Sequence, residues 1–124
     1  MKLCSICESN HLVEVHHIIF RSQVPTLVDC KHNLILLCYE HHRGTNGVHG
    51  SKGHELDERL KKEFQENLKL IFGEDIYYSI HDIKGKLDIS LKATERLVKS
   101  LIAKECKYIG IDIVRACMGG KLIL

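Results

Sequence analysis

Polar and hydrophobic residues alternate early in the chain and recur at helical spacing later. Residues 12–20 (LVEVHHIIF) are rich in β-branched side chains and alternate in polarity, which predicts an extended strand or a hairpin arm. The apolar run at 33–38 (NLILLC) predicts a second extended segment or a buried entry to a helix. Four glycines within 44–53 then indicate an irregular loop.

The second half of the chain has the period of amphipathic helices. Apolar residues recur every three or four positions across 55–72, so we predict one long helix capped at Gly73. Residues 80–87, 91–101 and 111–118 predict three shorter helices. The first two of these could form a helix-turn-helix whose cations meet DNA phosphates. A plain bundle packed on the long helix is favoured, because it explains every apolar position without DNA.

Composition changes near residue 50. The first 50 positions hold four of the six cysteines and seven of the nine histidines, and they are poor in core-forming residues. A segment of this kind usually needs a metal or disulfides to fold. We therefore predict an α+β protein with two parts. Residues 1–54 would form a metal-stabilised core, and residues 55–124 a mostly helical segment.

Net charge and cysteine usage limit the class of protein. The formal net charge is only +2, which permits nucleic-acid binding without arguing for it. The first residues carry no apolar stretch typical of a secretory signal, and no run is long enough to span a bilayer. We therefore expect a cytoplasmic protein with no membrane association. Its cysteines would be metal ligands or reduced thiols.

Two pairs of residues have the spacing of structural zinc ligands. Cys4 and Cys7 form a C-x2-C pair, and Cys38 and His41 form a C-x2-H pair. Two intervening residues let a tight turn aim both side chains at one ion, and two pairs complete a tetrahedral shell. We predict a structural Zn²⁺ here in preference to ordinary buried thiols. The remaining cysteines, interpreted as one spare ligand and two core residues, are Cys30, Cys106 and Cys117.

A second polar group remains once the zinc pairs are assigned, and it consists of His16, His17, Asn33 and His42. Adjacent residues of a strand point to opposite faces, but at a strand end both can approach one cleft. Neutral imidazole binds transition metals and, with a pKa of about 6.5, also acts as a general base. Each residue alone would be an ordinary strand, turn or surface residue. Their order and spacing together favour a catalytic metal site.

The runs EVHHII at 14–19 and NLILLCYEHH at 33–42 resemble the HNH endonuclease family, which has a ββα-metal fold. In the zinc-bearing branch of that family, the last HNH histidine directly follows the fourth zinc ligand, as His42 follows His41 here. The continuation RGTNGVH at 43–49, and an MGGK stretch near the end of the helical tail, resemble small HNH proteins of phages and prophages.

The resemblance implies a role for each matching residue. His17 matches the general base that activates the attacking water. His16 and His42 match ligands of a catalytic divalent metal. Asn33 matches the residue that holds the loop and orients the base.

The third ligand of the catalytic metal stays open at this point. Many relatives carry a further histidine about one helical turn after the last HNH histidine, where this chain has Asn46. Asn46, His49 or water could complete the site, and His49 is the candidate we retain. Imidazole ligands accept Mg²⁺, Mn²⁺, Ni²⁺ or Zn²⁺. The cations expected to contact nucleic acid are Arg21, Arg43 and Lys52.

The activity implied by the resemblance is metal-dependent hydrolysis of DNA phosphodiester bonds by a protein of phage or prophage origin. The main alternative is a catalytically idle zinc module that binds DNA or a protein partner, such as a phage packaging or host factor. A purely structural zinc protein with an interaction tail is a third hypothesis. A second, exchangeable metal near His16 and His42 would favour the nuclease. The sequence indicates neither the DNA specificity nor the oligomeric state.

Overall fold

The computed structural model describes residues 2–124, and its first half is an antiparallel hairpin followed by a short helix. The first strand pairs with the second so that Glu14 lies opposite Leu37 and His17 opposite Leu34. The elements are β1 (Glu14–His17), two 3₁₀ turns (Pro25–Leu27 and Lys31–Asn33), β2 (Leu34–Leu37) and α1 (Tyr39–His42).

The second half is mainly helical. A two-residue antiparallel ladder joins its two short strands, the long helix packs against the last one, and the two middle helices pack together. The elements are α2 (His54–Phe72), β3 (Tyr77–Tyr78), α3 (Ile80–Leu87), α4 (Leu91–Val98), β4 (Tyr108–Ile109) and α5 (Gly110–Cys117). Residues 2–124 therefore form a small α+β fold with five helices and two two-stranded antiparallel sheets. No helix in this range has the length and apolarity needed to cross a membrane.

Three of the predicted helices agree with the structure to within one residue, and the helix predicted over 91–101 ends at Val98. The predicted first strand is too long. The strand expected over residues 12–20 is confined to Glu14–His17. The N–H of Ile18 still donates to the carbonyl of Asn33 in the register of the ladder. Pairing ends at Ile19, because the Asn33 side chain bonds both the N–H and the carbonyl of Ile19. The β3–β4 ladder was not predicted, since it is too short to show a period. Helix α1 is also too short for that, and it was expected only from the resemblance to a ββα fold.

One apolar core contains side chains from both halves of the chain. Leu27, on the first 3₁₀ turn, is fully buried, and this turn packs against α4. The thiol of Cys30 donates to the carbonyl of Leu87 at the end of α3, 3.3 Å away. The division predicted near residue 54 falls at the start of α2, and the core continues across it.

The three cysteines outside the predicted zinc pairs lie in different surroundings, and not all of them agree with the prediction. Cys117 is buried, as predicted. The prediction for Cys106 was wrong, because this residue is exposed in the turn before β4, with a φ of 64°. The chain there forms a bridge between Lys104 and Lys107 and is not helical. Cys30 is buried beside α3, so its thiol is part of the packing and is not a spare zinc ligand.

The contact of the 3₁₀ turn with α4 predicts that Leu27→Ala destabilises the whole fold. Removing a fully buried leucine costs the transfer free energy and leaves a cavity, so we expect the free energy of unfolding to fall by about 2–5 kcal/mol. Urea unfolding followed by circular dichroism measures this. Leu70→Ala is the control, because Leu70 is 86% exposed, and its effect should stay below about 0.5 kcal/mol. Equal effects of both changes would contradict the packing.

Candidate metal centres

The predicted zinc ligands converge at one end of the hairpin. The ligand atoms of Cys4, Cys7, Cys38 and His41 all lie within 4.8 Å of one another. The Cys7 and Cys38 sulfurs are 3.7 Å apart, and His41 Nδ1 lies 3.3 Å from Cys38 Sγ and 3.8 Å from Cys4 Sγ. Tetrahedral zinc would separate two sulfurs by about 3.8 Å and a sulfur from a nitrogen by about 3.6 Å. This Cys3His group can therefore bind a structural zinc ion.

Backbone hydrogen bonds hold the N-terminal cysteine turn in place. The N–H of Ser5 donates to the carbonyl of Leu36, which fixes the turn on β2. The N–H of Ile6 donates to Cys4 Sγ at 3.4 Å. Burial raises the pKa of Cys4, but backbone hydrogen bonds from Cys38, Cys7 and Ile6 outweigh it and leave the pKa at about 6. The thiolate that zinc requires is therefore favoured at neutral pH.

Three histidines form a second group beside the first. The ring centroids of His16 and His42 are 5.1 Å apart, as are those of His16 and His49, and those of His42 and His49 are 4.8 Å apart. Their ligand atoms lie within 4.8 Å of one another, comparable with about 4.2 Å across an ion whose nitrogen ligands are about 2.1 Å away.

His16 supplies the observation that this group fits a metal ion. Its side chain is buried, and its Nε2 has no hydrogen-bond partner within residues 2–124. Leaving a buried polar atom unsatisfied costs about 1–3 kcal/mol. Burial, followed by the charges of His42 and His49, lowers the pKa of His16 to about 4, so the ring stays neutral and keeps a lone pair for a metal.

A tightly folded loop returns His49 to the other two histidines. The N–H of His49 donates to the carbonyl of His42, 2.9 Å away. Gly47 makes this possible, because a Cβ there would lie 2.8 Å from the carbonyl oxygen of Glu40. Asn46 is exposed and does not line the cavity around the histidines. Of the two protein candidates for the third ligand, the structure thus brings His49 to the site.

A carboxylate orients one of the three imidazoles. Glu14 Oε1 lies 3.1 Å from His42 Nδ1, and Arg43 Nε donates to the same oxygen at 2.7 Å. Hydrogen bonds from Arg43 and then His42 lower the pKa of Glu14, so it accepts as a carboxylate. His42 Nε2 is left for a metal, an arrangement common around metal-binding histidines. The sequence analysis assigned Glu14 no role. The available signal was its position two residues before His16, on the same face of β1.

His17 lines the same cavity, whose volume is about 690 Å³. Its Nε2 lies 2.9 Å from the carbonyl oxygen of Val28. A carbonyl only accepts, so Nε2 carries the proton and Nδ1 the lone pair. No side-chain pattern could have identified a backbone carbonyl as the partner.

Asn33 acts on the backbone and does not touch His17. Its Oδ1 accepts from the N–H of Ile19 at 2.7 Å, and its Nδ2 donates to the carbonyls of Ile19 at 3.0 Å and Leu27 at 3.4 Å. These bonds fix the loop that carries Val28, which in turn holds the imidazole of His17. Asn33 therefore connects the residues after β1 to the loop before Val28, and its role in catalysis stays a prediction.

The predicted nucleic-acid-binding cations occupy different places. Arg21 and Arg43 line the cavity, and Arg43 is paired with Glu14. Lys52 is exposed on the glycine-rich loop and does not line the cavity. A further cation, Lys61 on α2, was not predicted. Its Nζ lies 4.5 Å from the ring centroid of Phe20, which packs against His16 and His49.

Comparison with protein-family models, with curated proteins and with solved structures finds no match to this chain. The fold and the two groups of ligand side chains are therefore the observations from which a function can be argued.

The Cys3His geometry predicts that Cys38→Ser releases zinc and destabilises the first half of the chain. Serine is a poor zinc ligand, and the lost ion would remove folding free energy that this segment does not obtain from its core. Zinc content after gel filtration and thermal melting measure the effect. Cys106→Ser is the matched control, since Cys106 is exposed and far along the chain from the ligands. Unchanged zinc content in Cys38→Ser would exclude this site.

The Glu14–His42 contact predicts that Glu14→Gln weakens metal binding at the three-histidine group. Loss of the carboxylate leaves the His42 ring less firmly oriented and less basic, and such changes typically reduce metal affinity about 10–100-fold. Titration calorimetry with Ni²⁺ on protein that retains its zinc measures the dissociation constant. Glu40→Gln, an exposed change on α1, should leave it unaltered. A Glu14 variant with normal affinity would contradict the orienting role.

Proposed function

We propose that this protein is a metal-dependent endonuclease of the HNH type that hydrolyses DNA phosphodiester bonds. One observation carries the proposal: His17, with its imidazole orientation set by Val28, lines the same cavity as His16, His42 and His49. The order β1–β2–α1 and the resemblance of its residues to the HNH motif support it. A phage or prophage origin rests on that resemblance alone.

The three-histidine group would hold the catalytic ion. When bound, a divalent metal would act there as a Lewis acid on a phosphate oxygen and stabilise charge on the leaving 3′ oxygen. An all-imidazole donor set suits Ni²⁺ or Zn²⁺ better than Mg²⁺. His16 offers its unpartnered Nε2, and Glu14 leaves Nε2 of His42 available.

His17 supplies the proton transfer. Its Nδ1 removes a proton from a water molecule while the water oxygen forms a bond to phosphorus. The bond between phosphorus and the 3′ oxygen breaks, and that oxygen takes a proton from solvent. The products are a 3′ hydroxyl and a 5′ phosphate. His17 then returns its proton to solvent, and the carbonyl of Val28 retains the ring orientation throughout.

Substrate binding would use the cations at the cavity. Arg21 is exposed there and carries no ion pair within residues 2–124. The formal net charge of +2 is small, so we expect DNA binding to be weak and sensitive to salt. A protein partner, such as a packaging or host factor, would then bring the DNA to the enzyme.

The alternative of an idle zinc module has less support. Such a module needs only the Cys3His group. It gives no reason for a buried, unpartnered nitrogen on His16, a carboxylate on His42 and a carbonyl on His17 around one cavity.

The role of His17 predicts that His17→Ala slows DNA cleavage by about 10²–10⁴-fold, the usual contribution of a general base. Nicking of supercoiled plasmid with Mg²⁺, Mn²⁺, Ni²⁺ or Zn²⁺ measures the rate. His11→Ala is the control, because His11 is exposed and does not line the cavity. The circular dichroism spectrum and Ni²⁺ affinity should be unchanged in both variants. If the wild-type protein, loaded with metal, cleaves no DNA, the proposal fails; equal activity of His17→Ala and wild type would remove His17 from the mechanism.

A further inference from the structure

Helix α4 presents a row of cations that the fold does not use. Lys92, Arg96 and Lys99 are exposed and recur at intervals of four and three residues, so they share one side of the helix. None of them forms an ion pair within the described part of the chain. The only acidic residue among them is Glu95, so this side is positive. The whole chain, by contrast, nearly balances 18 cations with 16 acids.

The opposite side of α4 accounts for its packing. Thr94, Leu97 and Val98 are buried there, and the helix packs against α3, α5 and the first 3₁₀ turn. The hydroxyl of Ser90 caps its first turn by accepting from the N–H of Ala93 at 3.0 Å. The bundle therefore explains the apolar residues, as the sequence indicated. It leaves the cationic side of the helix unexplained.

Helices α3 and α4 are joined by a three-residue turn, Asp88 to Ser90, in which Asp88 adopts a left-handed conformation with φ of 53°. Two packed helices with a short turn form the common DNA-binding arrangement in which the second helix faces the duplex. Here the second helix carries the row of three exposed cations, whereas the first helix carries Lys84, which is partly buried, and Lys86, which lies over the ring of Tyr78.

The cationic row lies close to the histidine cavity. Ser22 lines that cavity, and Pro25 and Thr26 line a depression together with Lys92 and Arg96. The backbone from Ser22 to Thr26 can span at most about 14 Å. One turn of a DNA duplex is about 34 Å long. A single duplex segment can therefore contact both places, with Asp29 as the acidic residue at the edge of the depression.

We propose that α4 binds the phosphates of duplex DNA through Lys92, Arg96 and Lys99, within about one helical turn of the bond that is cut. The position of the cut rests on the proposed nuclease function. The binding itself does not, and it can be measured without cleavage.

The test compares two triple variants with the same change in net charge. One carries Lys92→Gln, Arg96→Gln and Lys99→Gln. The other carries Arg59→Gln, Lys62→Gln and Lys69→Gln on α2, which packs against α5. Binding of a fluorescent duplex of about three helical turns is followed by anisotropy over a range of salt, without added divalent metal.

We expect the α4 variant to bind duplex DNA at least about tenfold more weakly at low salt. The slope of log affinity against log salt should fall by about 2–3, as expected for three lost phosphate contacts. The α2 variant should stay close to wild type. Equal losses in both variants, or no duplex binding by the wild type, would overturn the proposal. Wild-type affinity for duplex DNA in the α4 variant would also overturn the proposal, and would point to a protein partner for this surface.

Hydrolysis of bis(p-nitrophenyl) phosphate separates this proposal from the nuclease. The substrate lacks the flanking phosphates that α4 would bind, so both variants should hydrolyse it at the wild-type rate, while the α4 variant alone cuts plasmid DNA more slowly. If neither the wild type nor either variant hydrolyses the ester, but the α4 variant alone loses duplex binding, the nuclease proposal fails and the α4 proposal stands.

Discussion

The two metal centres depend on the conformation of one helical turn, α1. A helix of four residues is not stable by itself, because nucleation fixes several residues for a single hydrogen bond. Here Cys38 and His41 bring α1 into the Cys3His group, which connects it to the N-terminal turn. His42 follows His41 and, rotated by about 100° around the helix, faces the other group. Zinc binding at one centre therefore sets the position of a ligand in the other.

The second centre shows a conflict between folding and metal binding. Three imidazoles pack closely, and one has an unsatisfied buried nitrogen, so the metal-free site reduces stability. The same features prepare ligand atoms for an ion without further reorganisation. The chain offsets this cost nearby: Asn33 satisfies the backbone at Ile19, and Lys61 packs over Phe20 behind the histidines while pairing with Asp57 at 3.0 Å.

The sequence predicted those features that depend on short-range spacing. The zinc pairs could be identified because ligands two residues apart must share a turn, and α2 because its apolar period is long. The partner of His17 could not, since it is the carbonyl of Val28, and every residue has a carbonyl. The choice of His49 depended on a loop geometry in which Gly47 and its neighbouring glycines leave no room for side chains. Cys106 was misplaced because it was interpreted as a core residue on a helix, whereas it lies in an exposed turn.

The close packing of the glycine loop on α1 has an evolutionary consequence. Between Cys38 and His49 the chain serves two centres, and Gly47 leaves no room for a side chain against Glu40. An inserted or deleted residue here would rotate one ligand away from its partners, so this stretch can diverge only by substitution. The loop between Phe20 and Cys30 is restricted in the same way, because Leu27 is buried in the core and the carbonyl of Val28 contacts His17. Related chains would then differ in their exposed side chains while keeping the same spacing of ligands.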